Sequence, residues 1–250
     1  MLYPFVFILL SFIFMKPVCD SDIEYPDLPS VIYKVLSQPY SFMYPQLFPY
    51  IKLVWVVCLI AAFCGWNSLF CLFGFVSMML LGIFQSMGDI EEWDYVWLVS
   101  NTVAMVYVAG YFIYELIVRE NQFKSEYLHK NRLWLLLFFP ILIWYPVVCD
   151  NMQCKWDFSL YTLIHSEGGA AFCYVSPTLL SILLLYYPHV NRRLVGILTL
   201  VCSIFGVSAI VLFMSYNQIP LVILHIPLLV VSLYGYYLYF FGNDIKEKKE

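Results

Sequence analysis

The segment "LIHSEGGAAFC", residues 163–173, places an imidazole, a carboxyl group and a thiol around two glycines at the head of an apolar run. Near neutral pH, His165 has the chemistry to bind a metal or move a proton, and Glu167 has the chemistry to assist it as a base. The same residues also describe the start of a helix. Ser166 is a good N-cap, Glu167 suits the positive end of a helix dipole, and Gly168 and Gly169 permit close backbone approach. The helix start accounts for the stretch without any function and is the preferred reading.

His225 keeps the functional alternative alive. It lies in "LVILHIPLLVV", about one turn into the last apolar run and at the same end of the bundle as His165. An ionisable group at membrane depth is expensive and marks a functional candidate with a partner, here His165 or Glu167. A neutral histidine bonded to a neighbouring carbonyl or tyrosine is the structural counterpart. Asn101 and Thr102 would either line a polar path or bond between helices. The candidate outer polar site is therefore His165, Glu167, His225 and Asn101. No HExxH or HxxxH spacing occurs, so no metal is assigned, and no cofactor follows from the chain. Glu115 and Arg119, spaced i to i+4 at the other end of a run, read as a structural ion pair.

Cysteine usage divides by depth. Cys58, Cys64, Cys71 and Cys202 fall within apolar runs, where they serve as small apolar side chains. Cys173 lies just below the outer surface. Cys19, Cys149 and Cys154 fall outside, where an oxidising exterior permits a Cys149–Cys154 or a Cys19–Cys154 bridge. No CxxC is present to support redox catalysis.

The elements that must position these groups follow from composition. With 62% hydrophobic and 12% charged residues and a mean hydropathy of +0.79, the chain is too apolar for a soluble domain. It reads as an all-α, polytopic transmembrane helix bundle with the lipid bilayer as its solvent. Apolar blocks near 50–66, 68–87, 95–118, 133–149, 168–187, 194–214 and 221–241 give seven main spans. The blocks lack a period of two, which argues against a β-barrel. Arg119, Lys124, Lys130 and Arg132, then Arg192 and Arg193, then Lys246, Lys248 and Lys249 fall on one side, which the positive-inside rule makes cytoplasmic. Asp89, Glu91, Glu92, Asp94, Asp150 and Asp157 fall on the other. The expected location is the cell membrane, multi-pass, with a cytoplasmic C-terminus at 242–250.

A short apolar block at 2–15 leaves residues 1–19 as a signal peptide or an eighth span. Residues 20–49 are acidic at first and then rich in aromatic residues, with prolines that interrupt any long helix. They read as an external interfacial segment carrying a short helix near 30–37, and alternatively as a lid over an outward-facing cavity. The pieces "KLVWVVCLIAAFCG" and "RLVGILTLVCSIFG" do not amount to a repeat. Eleven glycines in 250 residues predict helices packed through large side chains, which lowers the expectation of a rocking transporter.

Absences narrow the function. A net charge of −4 without basic clusters gives no footprint for nucleic acid. The last span has no lysine for a retinal Schiff base, and NPxxY, Walker and GxSxG motifs are lacking. Each polar candidate has an adequate structural explanation, so a noncatalytic membrane partner or assembly protein, with a possible protein partner, ranks first. A small-solute or ion carrier with an outward-facing polar site and a membrane enzyme acting at the outer face are the alternatives.

Overall fold

The computed structural model describes residues 16–20, 23–37, 45–150 and 153–242. The 2–15 block, Tyr40, Phe42, Tyr44 and the tail lysines lie outside the described residues. In chain order the elements are β1 (Val18–Cys19), α1 (Leu28–Ser37), α2 (Phe48–Phe63), α3 (Asn67–Phe84), β2 (Met87–Ile90), β3 (Asp94–Trp97) and α4 (Val99–Val118). After a 3-10 helix at Lys130–Phe138 come α5 (Phe139–Ile143), β4 (Val147–Asp150), β5 (Gln153–Trp156) and α6 (Leu160–His165). The chain then forms α7 (Phe172–Tyr186), α8 (Arg192–Ser215) and α9 (Ile219–Phe241).

The protein is mostly helical, and among the described residues four helices, α3, α4, α8 and α9, are long and apolar enough to cross a membrane. The expectation of seven such helices is not met. α2 and α7 are apolar but shorter, and the 133–149 block is not an α-helix of span length. Pro140 has no N–H to offer the Leu136 carbonyl, which accepts from the Phe139 N–H instead, three residues on. That i to i+3 pattern is the 3-10 geometry observed. The all-α expectation also needs correction, because two small antiparallel sheets, ordered β1-β3-β2 and β4-β5, decorate one end of the bundle.

α7 is the axis. Of its residues only Cys173 escapes full burial, and a helix apolar on all sides belongs inside a bundle. α8 and α9 pack on it and on each other, with α3 and α4 as a second pair. The outward faces are apolar too: on α3, Leu72, Val76, Leu80 and Ile83 are exposed opposite the buried Phe70, Gly74, Met78 and Leu81.

The glycine reading fails for a positional reason. Few glycines are present, but several stand where helices touch. A Cβ on Gly206 would lie 3.4 Å from the Leu229 nitrogen, and one on Gly235 only 2.5 Å from Thr199 Oγ1. At Gly74 it would fall 2.4 Å from Phe112 Cε1. Because the Phe112 ring is fully buried, Gly74→Ala is expected to lower stability by about 1–3 kcal/mol. Unfolding in mixed micelles measures this, with Gly110→Ala as control because a Cβ there meets nothing within 4 Å.

The end opposite the sheets is closed by a polar knot. Glu115, with no exposed surface, accepts from Asn67 Nδ2 (3.1 Å) and the Asn121 amide (2.7 Å) on Oε1, and from Asn191 Nδ2 (2.7 Å) on Oε2. The predicted Glu115–Arg119 ion pair is absent among the described residues. The reason is local: Arg119 leaves the helix in the left-handed conformation (φ 56°) and is exposed, while Glu115 turns inward. The knot joins the start of α3, the end of α4 and the N-cap of α8, so the 119–132 and 187–191 segments share one end. The Gln122 amide bonds the His189 carbonyl at 2.9 Å, and the His129 amide bonds Leu185 at 3.0 Å.

Candidate functional site

At the sheet-bearing end the helices diverge around a cavity of about 230 Å³. Its walls come from the end of α3 (Leu81, Gln85), the start of α4 (Ser100, Asn101, Met105), the starts of α7 and α9, and the C-terminal half of α8. Ile32 and Leu36 of α1, Pro17, Tyr145 and Glu167 also line it.

α1 is held over this opening from two sides. Val31 and Val35 join a small second core with Ile90, Val96 and Leu98 of the sheet region. The buried Tyr33 stacks on Tyr216 at 4.3 Å, beside the α8–α9 turn. Lys34 contacts Glu92 and lies 4.9 Å above the Trp93 ring. The helix expected near 30–37 thus contributes Ile32 and Leu36 to the roof of the cavity.

Residues 166–171 form a turn between two helices. α6 ends at His165, and α7 does not begin until Phe172, with Ala171 as N-cap. Ser166 is therefore not the N-cap of the long helix. Its Oγ accepts from Lys52 Nζ (3.0 Å) and the Tyr145 amide (3.3 Å). Gly169 takes φ +83°, which a side chain rarely adopts, and its carbonyl accepts from Trp55 Nε1. The orphan N–H of Phe172 is met by Gln85 Oε1 at 2.8 Å. Helices α2 and α3 thereby fix the turn that presents Glu167.

Three of the four predicted polar residues line the same cavity: Asn101, Glu167 and His225. His165 does not. It stacks on Tyr161 at 4.4 Å, and its Nδ1 lies 3.1 Å from the Tyr161 carbonyl. His225 is buried, and its Nδ1 lies 2.7 Å from the Leu221 carbonyl. Nδ1 therefore carries the proton, and Nε2 of the neutral ring is left as an acceptor. The side chains of Asn101 and Glu167 have no hydrogen-bond or ion-pair partner among the described residues. Burial pushes the Glu167 carboxyl up to about 8. Thr102, by contrast, makes the interhelical bond, donating to the Gly82 carbonyl at 2.6 Å.

Composition and spacing missed Gln85, Tyr145 and Tyr174 as members of this site. Gln85 did carry a signal, being the first amide after the apolar run "SMMLLGIF". The two tyrosines carried none, since tyrosines recur along the whole chain.

Cys149 and Cys154 are joined by a disulfide across the β4–β5 hairpin, while Cys19 lies in β1 opposite Val96. The Cys154 amide donates to Gln218 Oε1 at 3.0 Å, tying the hairpin to the α8–α9 turn. Among the described residues no three His, Cys, Asp or Glu side chains converge as metal ligands. The arrangement offers hydrogen-bond acceptors and aromatic rings around a small space.

These features define a mostly helical protein with four candidate membrane spans and a roofed, partly polar cavity at one end. Compared with known proteins, the chain matches no family model, no curated sequence and no solved structure.

Proposed function

We propose that this is a multi-pass membrane protein that takes a small solute into the roofed cavity from the non-cytoplasmic side, as a carrier or receptor does. One observation carries the reading. Asn101, Glu167 and His225 come from three separate segments and line one cavity, and the side chains of Asn101 and Glu167, each half-buried, meet no hydrogen-bond or ion-pair partner among the described residues. Polar groups that converge on a small cavity without such partners offer their hydrogen bonds to a guest. This reading is preferred to the noncatalytic assembly protein of the sequence analysis, which rested on each candidate having an adequate structural explanation and on no motif joining them. The enzyme reading gains no support, because no nucleophile is hydrogen-bonded to a base in the lining.

The same proposal includes seven crossings of the cell membrane. α2 and α7 extend about 24 and 22 Å at 1.5 Å per residue. The 3-10 helix with α5 adds about 25 Å at the corresponding rises. Irregular backbone at that depth requires shelter by protein, and Leu135, fully buried, packs in the main core. The basic 119–132 segment and the stretch carrying Arg192 and Arg193 then face the cytoplasm, as does the C-terminus.

Native mass spectrometry of the purified protein tests the reading with three chains: the parent, Ala209→Phe, which fills the cavity, and His165→Ala, which lies outside it. A small adduct on the parent and on His165→Ala, lost from Ala209→Phe, is the expected result. Asn101→Leu provides a milder cavity variant if the phenylalanine unfolds the bundle. A parent that carries only lipid or a protein partner would overturn the proposal and return the function to the surface.

A further inference from the structure

We propose that the occupant of the cavity is a small monocationic amphiphile, with an ammonium group beside Glu167 and an apolar body against the aromatic wall. The inference rests on the small-molecule reading above and concerns the chemistry of the guest.

Charge gives the first constraint. Among the described residues, no lysine or arginine lines the cavity, and the carboxyl of Glu167 makes no ion pair. Lys52 stands next to the turn, but its ammonium is committed to the Leu163 carbonyl at 2.7 Å and to Ser166 Oγ. It makes no ion pair with Glu167 among the described residues. An anionic guest would meet a carboxyl group and no counter-charge, whereas a cation would supply the missing partner.

The walls give the second. Phe172, Tyr174, Phe205 and Phe213 contribute ring surface, Phe172 lying 4.9 Å from Phe205 and Phe213 lying 5.0 Å from His225 between ring centroids. Aromatic faces and a carboxylate together are the recognition chemistry of an alkylated ammonium. His225 Nε2 and Asn101 Oδ1 add acceptors for an N–H donor.

Size gives the third. At about 230 Å³ the space falls below the roughly 300–1,000 Å³ of drug-sized sites. A guest with a single ring or a short alkyl body fills it.

A pH dependence follows. Among the described residues, the titratable groups that line the cavity with Glu167 are Tyr145 from the segment after α5, Cys173 and Tyr174 from α7, and His225 from α9, and Tyr145 and Tyr174 interact electrostatically with its carboxyl. α3, α4 and α8 present none to the cavity, and Lys52 of α2 is engaged as described. The empty carboxyl holds its proton up to about pH 8, so a cation must displace that proton below this value. Affinity for a permanently charged ammonium then rises by roughly tenfold per pH unit up to about pH 8 and levels above it.

The test is calorimetric titration of the protein in nanodiscs with phenyltrimethylammonium and with its neutral isostere tert-butylbenzene, empty nanodiscs serving as the blank. The parent is expected to bind the ammonium with the stated slope between pH 6.5 and 7.5. Glu167→Gln is expected to lose the slope, and at pH 8 to bind at least tenfold more weakly. If instead tert-butylbenzene binds the parent as tightly as the cation, without a slope, and is lost in Ala209→Phe, the cationic guest is overturned while the small-molecule cavity stands. If the parent titrates like Ala209→Phe with both probes, both inferences are overturned.

Discussion

Replacing Glu115 with alanine is expected to lower stability by about 3–5 kcal/mol, the cost of leaving three buried donors without an acceptor. The carboxylate is sealed from solvent and holds Asn67 Nδ2, the Asn121 amide and Asn191 Nδ2. Its loss strands three donors at once, in a place that water does not reach. The asparagines have no spare partners to give. Asn67 Oδ1 already accepts from Asn121 Nδ2 (3.0 Å), Asn121 Oδ1 from the Asn191 amide (2.7 Å), and Asn191 Oδ1 from the Arg193 and Leu194 amides. Glu115→Gln is also expected to destabilise, because an amide presents a donor to one of the donors that the carboxylate now accepts. Arg119→Ala, at the position four residues on, is expected to change stability by less than about 0.5 kcal/mol, as an exposed substitution does. Reversible unfolding in mixed micelles distinguishes this from an Glu115–Arg119 ion pair, for which the two variants would cost comparable amounts.

Arg132→Met is expected to cost about 3 kcal/mol, from two lost hydrogen bonds of the charged class. Arg132 is 3% exposed, and its Nη1 donates to the carbonyls of Leu184 (2.8 Å) and Tyr187 (2.6 Å). These carbonyls lie where α7 ends and have no further helical turn to meet them. A guanidinium there also faces the negative end of the helix dipole. Methionine preserves most of the apolar stem and removes the fork, so packing is nearly conserved. Lys130→Ala, in the same basic segment but exposed, is expected to fall within about 0.5 kcal/mol of the parent. Equal effects at the two positions would show that charge alone, and not the capping geometry, is what this segment contributes.

These two predictions mark where the sequence reading stopped. Glu115 and Arg119 have the i to i+4 spacing of a helical pair, but the pair forms only if the helix continues through Arg119. The left-handed turn there brings the Asn121 amide, six residues on, to a carboxylate that also meets Asn67 and Asn191, both distant in sequence, and no local pattern encodes that meeting. Arg132 and Lys130 look alike in a list of basic residues, and only the packing against α7 separates them. The 133–149 block was read as helical from its apolarity. Pro140 held the signal against that reading, because it removes the donor that α-geometry needs at that turn.

The candidate site was legible in its members and not in its grouping. Asn101, Glu167 and His225 stand out as polar residues in apolar surroundings, and that contrast needs no structure to see. His165 stands out equally well, yet it faces Tyr161, since α6 ends before the turn that carries Glu167. Counting glycines misled for a similar reason. Their number is a property of composition, whereas close approach at Gly74, Gly206 and Gly235 depends on which face each occupies.

By itself the sequence determined the apolar helices at α3, α4, α8 and α9, because long uninterrupted apolar runs leave the backbone few ways to satisfy its own polar groups. It also determined the separation of basic from acidic segments along the chain. Only the tertiary structure decided that α1 roofs a cavity, that Glu167 has no hydrogen-bond or ion-pair partner among the described residues beside aromatic rings, and that Glu115 closes the opposite end. Those outcomes depend mainly on contacts between residues far apart in the chain, which no local propensity sets.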